Sequence, residues 1–197
     1  MKGKLKGGKM FRKVILTSLL FAAPLLLAQN EPAKTEAKVH GFVGAETCGM
    51  CHKTEKQGKQ LDIWKASKHA QAYKTLETDD ANKIAKEKGF DTPAAKTPAC
   101  LKCHVSGAGV DASLLGPKFK MEDGVQCETC HGAGADYKTL SVMKDKEKAI
   151  ANGLVVPGDL KTFCATCHNP EGPTYKEGWD AAANFEKIKH DIPKASN

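Results

Sequence analysis

One pattern limits what this 197-residue chain can fold into. All eight cysteines fall in four copies of C-x-x-C-H: Cys48–Cys51–His52, Cys100–Cys103–His104, Cys127–Cys130–His131 and Cys164–Cys167–His168. With only 7 histidines in the chain, a histidine after every pair is an accident on the order of one in a million. The pattern is the attachment signature of c-type haem: two thioethers hold the porphyrin edge and the next histidine binds iron. Cys₄ zinc sites do not need a histidine at a fixed following position. A disulfide framework would scatter its cysteines, and a thioredoxin-like site needs one C-x-x-C in a βαβ setting. The sequence therefore predicts four covalently bound haem c groups.

Charge narrows the chain's role. Lys plus Arg number 30 against 23 Asp plus Glu, a balance of +7 that invites nucleic acid as partner. Lys2, Lys4, Lys6, Lys9, Arg12 and Lys13 all precede the first acid, Glu31, so the remainder is close to neutral, and Arg12 is the only arginine. Without arginine forks, readout of base edges or phosphates is not expected, and the prediction is no nucleic acid. The basic run leads into Val14–Leu27, an apolar stretch of about 14 residues, short of the roughly 20 that cross a bilayer as a helix. This is the layout of a secretory signal peptide, 1–28, and predicts a periplasmic protein with no stable membrane span in its mature form. The competing reading is an uncleaved anchor, because Leu26 and Leu27 are not the small-x-small pattern that cleavage prefers. Export agrees with c-type haem, which is attached outside the cytoplasm. Haem propionates would make the holoprotein more acidic than its bare sequence.

Residues 29–42, rich in Ala, Lys, Glu and Pro, read as a flexible linker ahead of a single domain, 43–197. A polar helical stretch is expected from Lys53 to about Leu76, and a short helix capped at Thr78 and ended by Gly89. The glycine-rich residues between Cys103 and Cys127 read as a loop, which should bring the second and third haems close together. Further helices are expected over Val142–Asn152, after the Pro157–Asp159 turn as a short helix bearing the fourth motif, and from about Ala181 to Lys189 behind an Asp180 cap. No strand pattern appears. Aromatic residues are only 6% of the chain, so something other than side chains is expected to fill the core. The fold class is mainly α with long loops and little or no sheet, wrapped around four haems.

Four motif histidines leave His40, His69 and His190 for the opposite faces of the irons, so four bis-histidine haems cannot be made from one chain. His69 lies too near the first motif to fold back on that haem and should reach another. CGMCHK, IWKASKHAQAYKTL (Ile63–Leu76), ACLKCHVSGAG (Ala99–Gly109), GVQCETCHGAG (Gly124–Gly134) and the late CATCH with EKIKH (Glu186–His190) resemble the tetrahaem cytochrome c-554 family from about Val43 to His190. The resemblance implies that His69 stands opposite His168, that His190 stands opposite His131, and that the haem of His104 lacks a strong sixth ligand. In the family, the first haem takes a histidine from the segment after the third motif, and Gly132–Phe163 contains none. Met143 is the best substitute, a thioether being a normal haem ligand, and the competing reading is that it packs on the ring. For His40 four readings stay open: ligand of the first haem, cap of the second, a reach to another subunit, or no role.

The function expected is electron transfer between redox partner proteins through closely packed haems. One alternative is a small-ligand reductase of NO type, or a gas-binding protein, at an open second haem. Another is a structural haem filament. The oligomeric state is left open.

Overall fold

The computed structural model describes residues 38–190; the expected signal peptide and most of the expected linker lie outside the described residues. The end of that linker is built into the domain. Phe42 N–H donates to Leu114 O at 2.7 Å, Gly116 N–H to Phe42 O at 2.8 Å and Ala135 N–H to Gly41 O at 3.0 Å. Phe42 and Leu115 form an isolated parallel bridge, and the described residues otherwise hold helices, turns and loops. The mainly helical class is borne out.

Ten short α-helices occur among the described residues: α1 (Ala45–Gly49), α2 (Gln60–Lys65), α3 (Ala72–Leu76), α4 (Asp79–Glu87), α5 (Pro98–His104), α6 (Cys127–His131), α7 (Leu140–Met143), α8 (Lys146–Ala151), α9 (Leu160–Cys164) and α10 (Ala181–Phe185). The first three motifs ride on or just past α1, α5 and α6, and the fourth on the end of α9. Capping chemistry decides their starts. Thr78 Oγ1 accepts from Ala81 N–H at 3.2 Å and Asp180 Oδ1 from Ala182 N–H at 2.8 Å, the contacts that begin α4 and α10.

Two expected helices are broken. The stretch from Lys53 to Leu76 is interrupted where Gly58 (φ 92°) and Lys59 (φ 51°) both turn left-handed, and again by the turns that carry His69. The helix expected over 142–152 divides at Asp145, whose carboxylate accepts from Lys148 N–H at 3.0 Å and starts α8 afresh.

The apolar core is thin. Among the described residues, six of the twelve buried apolar ones are alanines: Ala45, Ala70, Ala85, Ala94, Ala149 and Ala181. Its two clusters are small. One joins Leu76, Ala85 and Ala94 and backs Cys100 and Leu101; the other joins Tyr137, Val142 and Ala149, with Met143 and Leu154 against it. Burial on this scale stabilises a domain of this length weakly.

Candidate haem sites

The motif cysteines come together in pairs from different motifs. The Cys48 and Cys127 thiols face each other; as free thiols, their contact pushes Cys48 up, with burial adding to it, and holds Cys127 down against the effect of burial. Cys103 lies beside Cys167 and is pushed up by burial and by that neighbour. Burial, with Cys164, Cys127 and Cys167 nearby, pushes Cys130 up to about 11. The motifs thus follow one another in space as first, third, fourth, second. The ion pair Lys102–Glu171 at 2.7 Å ties the second motif to the segment after the fourth. The segments beside the second and third motifs do meet, since Ser106 N–H donates to Gly124 O at 3.0 Å, and Ser106 Oγ lies 2.5 Å from Thr129 Oγ1 and accepts from Gln126 N–H at 2.7 Å. The cysteine contacts nevertheless pair first with third and second with fourth.

Two motif histidines face a second imidazole. His69 and His168 have ring centres 6.0 Å apart, and His131 and His190 5.9 Å apart. A metal–imidazole bond is about 2.0–2.1 Å and the ring centre lies roughly 1.1 Å behind the nitrogen, so two imidazoles across one metal have centres about 6.2 Å apart. Both pairs fit an iron held between them. Burial lowers the pKa of His69, His131 and His168, with repulsion from His168 adding to it at His69, so all three favour the neutral form that binds metal.

Local structure sets each ring. The turns bearing His69 are fixed by Val125 N–H, which donates to His69 O at 3.0 Å, and by Trp64 Nε1–H, which donates to Val125 O at 2.8 Å. Gly124 allows this contact, because a Cβ there would stand 2.7 Å from His69 O at a φ of 69°. His104 Nδ1 lies 2.8 Å from Ala72 O and His131 Nδ1 lies 3.2 Å from Val155 O; donation to these carbonyls leaves each Nε2 free for iron. His168 instead stacks on Trp179, with ring centres 4.5 Å apart and planes 6° from parallel.

His52 and His104 have no second imidazole stacked or opposed to them among the described residues. Met143 ends α7 and packs against the Tyr137, Val142 and Ala149 cluster. Tyr137 stands beside Cys48 and Cys127; its hydroxyl donates to Gly132 O at 2.8 Å, and burial raises its pKa. His40 is fixed rather than loose. Its Nδ1 lies 2.6 Å from Asp136 Oδ2, which Lys38 also reaches at 3.2 Å, and its ring lies over Gly153. The stack of Trp179, the carbonyls of Ala72 and Val155, and the carboxylates of Asp136 and Glu128 are not visible in the motifs. Only Glu128 carries a sequence signal, as the one acid inside a C-x-x-C-H unit.

Paired cysteines on short helices, each followed by a histidine and two of them faced by a second imidazole, define a c-type cytochrome. A family model described as cytochrome c554 and c-prime matches residues 47–132. Cytochrome c-554 of Nitrosomonas europaea is 30% identical over 178 residues, which cover 83% of this chain and 72% of that protein. The chain belongs to the cytochrome c-554 family and binds haem covalently as a c-type electron carrier. The solved structure of the reduced state of cytochrome c554 from Nitrosomonas europaea matches over 73% of each chain at 24% identity, with a TM-score of 0.48. No helix among the described residues is long and apolar enough to cross a membrane.

Proposed function

We propose that this protein is an exported tetrahaem cytochrome that passes electrons between partner redox proteins of the periplasm. Each motif holds one haem: Cys48, Cys51 and His52; Cys100, Cys103 and His104; Cys127, Cys130 and His131; Cys164, Cys167 and His168. His69 completes the iron of His168, and His190 that of His131. Met143 completes the iron of His52, and the iron of His104 takes no sixth side chain. The observation that carries this reading is the pair of imidazole separations, 6.0 and 5.9 Å, which fit one iron each.

Haem iron supplies a reversible one-electron centre whose potential follows its axial ligands and surroundings. The chain's own part is to fix spacing and orientation. The cysteine contacts set the motifs in the series first, third, fourth, second, while the carbonyls of Ala72 and Val155 and the ring of Trp179 hold three of the four histidines in place. Such a series supports transfer between partners at its two ends without a consumed substrate.

A pyridine haemochrome assay of the purified holoprotein tests the count, and a carbon monoxide difference spectrum of the reduced protein tests the ligation. The expected result is four haems per chain with one responding to carbon monoxide. Fewer than four, or a response from the haems of His131 or His168, overturns the assignment.

A further inference from the structure

Glu128 sits between the two cysteines of the third motif on α6 and is 2% exposed. Its Oε1 accepts from Val43 N–H at 2.8 Å and from Gly134 N–H at 2.7 Å, and its Oε2 accepts from Gly44 N–H at 2.8 Å. Every partner is a neutral backbone donor. No lysine or histidine approaches within ion-pairing distance among the described residues. Both oxygens accept from backbone N–H groups, the arrangement that a carboxylate makes. The three N–H dipoles stabilise that charge locally without cancelling it, and in a buried setting its field reaches further than it would in water.

The field falls on two motifs at once. Val43 and Gly44 lead directly into α1, the helix of the first motif, while Glu128 itself belongs to the third. The sulfurs of Cys48 and Cys127 meet beside it, and the Tyr137 hydroxyl lies within its influence. One-electron reduction lowers the charge of a ferric porphyrin core by one. A fixed neighbouring anion therefore favours the ferric form and opposes the incoming electron.

We infer that Glu128 sets potential as well as position: its buried, unpaired charge lowers the reduction potentials of the haems held by the first and third motifs. This inference rests on the tetrahaem reading above. The purely structural reading gives Glu128 three hydrogen bonds that fasten the third motif to the entrance of the first, and nothing more. Charge and shape are separated by two variants, Glu128→Gln and Glu128→Asp.

The experiment is a potentiometric titration of each holoprotein with dithionite as electron donor, one electron per haem, followed by absorbance and by EPR, with thermal unfolding measured in parallel. The expected result is that E128Q moves two of the four redox components to higher potential, while E128D, which keeps the charge, leaves them near the wild-type values although both variants melt earlier. Unmoved components in E128Q, or equal shifts in E128Q and E128D, overturn the inference. If E128Q yields no holoprotein, Ala133→Lys decides instead, by adding an ammonium next to Gly134 with the carboxylate retained. The same two components should then rise by a smaller amount, and no rise overturns the inference. The haem count of each protein keeps the two proposals apart: fewer than four haems in the wild type fails the tetrahaem reading, whereas four haems with unmoved potentials fails only the role of Glu128.

Discussion

The histidines of the third and fourth motifs differ from those of the first and second in what faces them. His131 and His168 each face another imidazole at the distance that one iron requires, whereas His52 and His104 face none among the described residues. The four motifs are equivalent as covalent anchors, so the difference lies in what other parts of the chain bring to the opposite side. Attachment is a local property of five residues. Ligation is a tertiary one, and it need not be uniform along a row of similar motifs.

The largest test of this contrast removes a distal imidazole. His69→Ala and His190→Ala should each open one more iron, raising the carbon monoxide-responsive count by one with the total haem count unchanged. The same spectra should show a high-spin fraction that the two haems proposed to be bis-imidazole lack in the wild type. An unchanged response in either variant would mean that the imidazole pair meets across something other than iron. Deleting His40 should leave the response as it is, because its Cδ2–Nε2 edge lies against Gly153, 2.8 and 2.9 Å from where a Cβ would stand.

A second test keeps the ligand and disturbs its support. Gly124→Ala places a methyl 2.7 Å from His69 O at a φ of 69°, which alanine adopts with strain. The expected cost is about 1–3 kcal/mol in holoprotein stability. It should come with weaker ligation opposite His168 and unchanged ligation opposite His131, because the atoms that the added methyl meets first, His69 O, Ala72 N and Tyr73 N, lie in and just after the turn that carries His69. Thermal melts beside carbon monoxide spectra measure both effects.

Much of this contrast is legible in the sequence, and where it fails the reason is physical. His69 and His190 can be picked out because few histidines remain once the motifs are assigned, and because their neighbourhoods resemble a known pattern. The cap residues Thr78 and Asp180 start helices where their side chains predict, since capping is settled within four residues. The association of the first motif with the third and of the second with the fourth has no local signature. Close spacing of the second and third motifs points elsewhere, and only the folded path brings Cys48 to Cys127. The supports for His104 and His131 are equally hidden, because any residue offers a carbonyl: nothing about alanine or valine marks Ala72 and Val155 as histidine partners.

A third test falls on the first motif. Met143 packs on the cluster around Tyr137, which adjoins Cys48, and is proposed as the sixth ligand of the iron of His52. Met143→Leu keeps the volume and loses the sulfur, so packing should change by less than about 1.5 kcal/mol. The carbon monoxide-responsive count should rise by one while the melting temperature stays close to that of the wild type. If the count stays at one, Met143 is a packing residue and another group closes the iron of His52; a wild-type count of two would mean instead that the first motif joins the second in having no side chain opposite its histidine.

The smallest effect concerns orientation rather than ligation, and it separates the fourth motif from the third within the completed pair. His131 is oriented by a hydrogen bond to Val155 O, whereas His168 relies on the face of Trp179, stacked 4.5 Å away and within 6° of parallel. A carbonyl acceptor fixes a ring through one atom and a direction; a stacked indole fixes its plane. Aromatic stacking contributes about 0.5–1.5 kcal/mol beyond burial, so Trp179→Leu should cost about that much for the pairing, with a further loss for the smaller apolar surface. Both imidazoles should remain on iron, because His69 is held from the other side through Val125 and Trp64. The angle between the His69 and His168 planes, 53°, is then free to relax, while the 33° between His131 and His190 is not touched. Low-spin EPR anisotropy reads the relative orientation of axial imidazoles, so one of the two bis-imidazole signals should move or broaden and the other should stay. Movement of both signals would mean that the two sites share a support; movement of neither would mean that the covalent anchor and the Fe–N bond alone set the plane of His168.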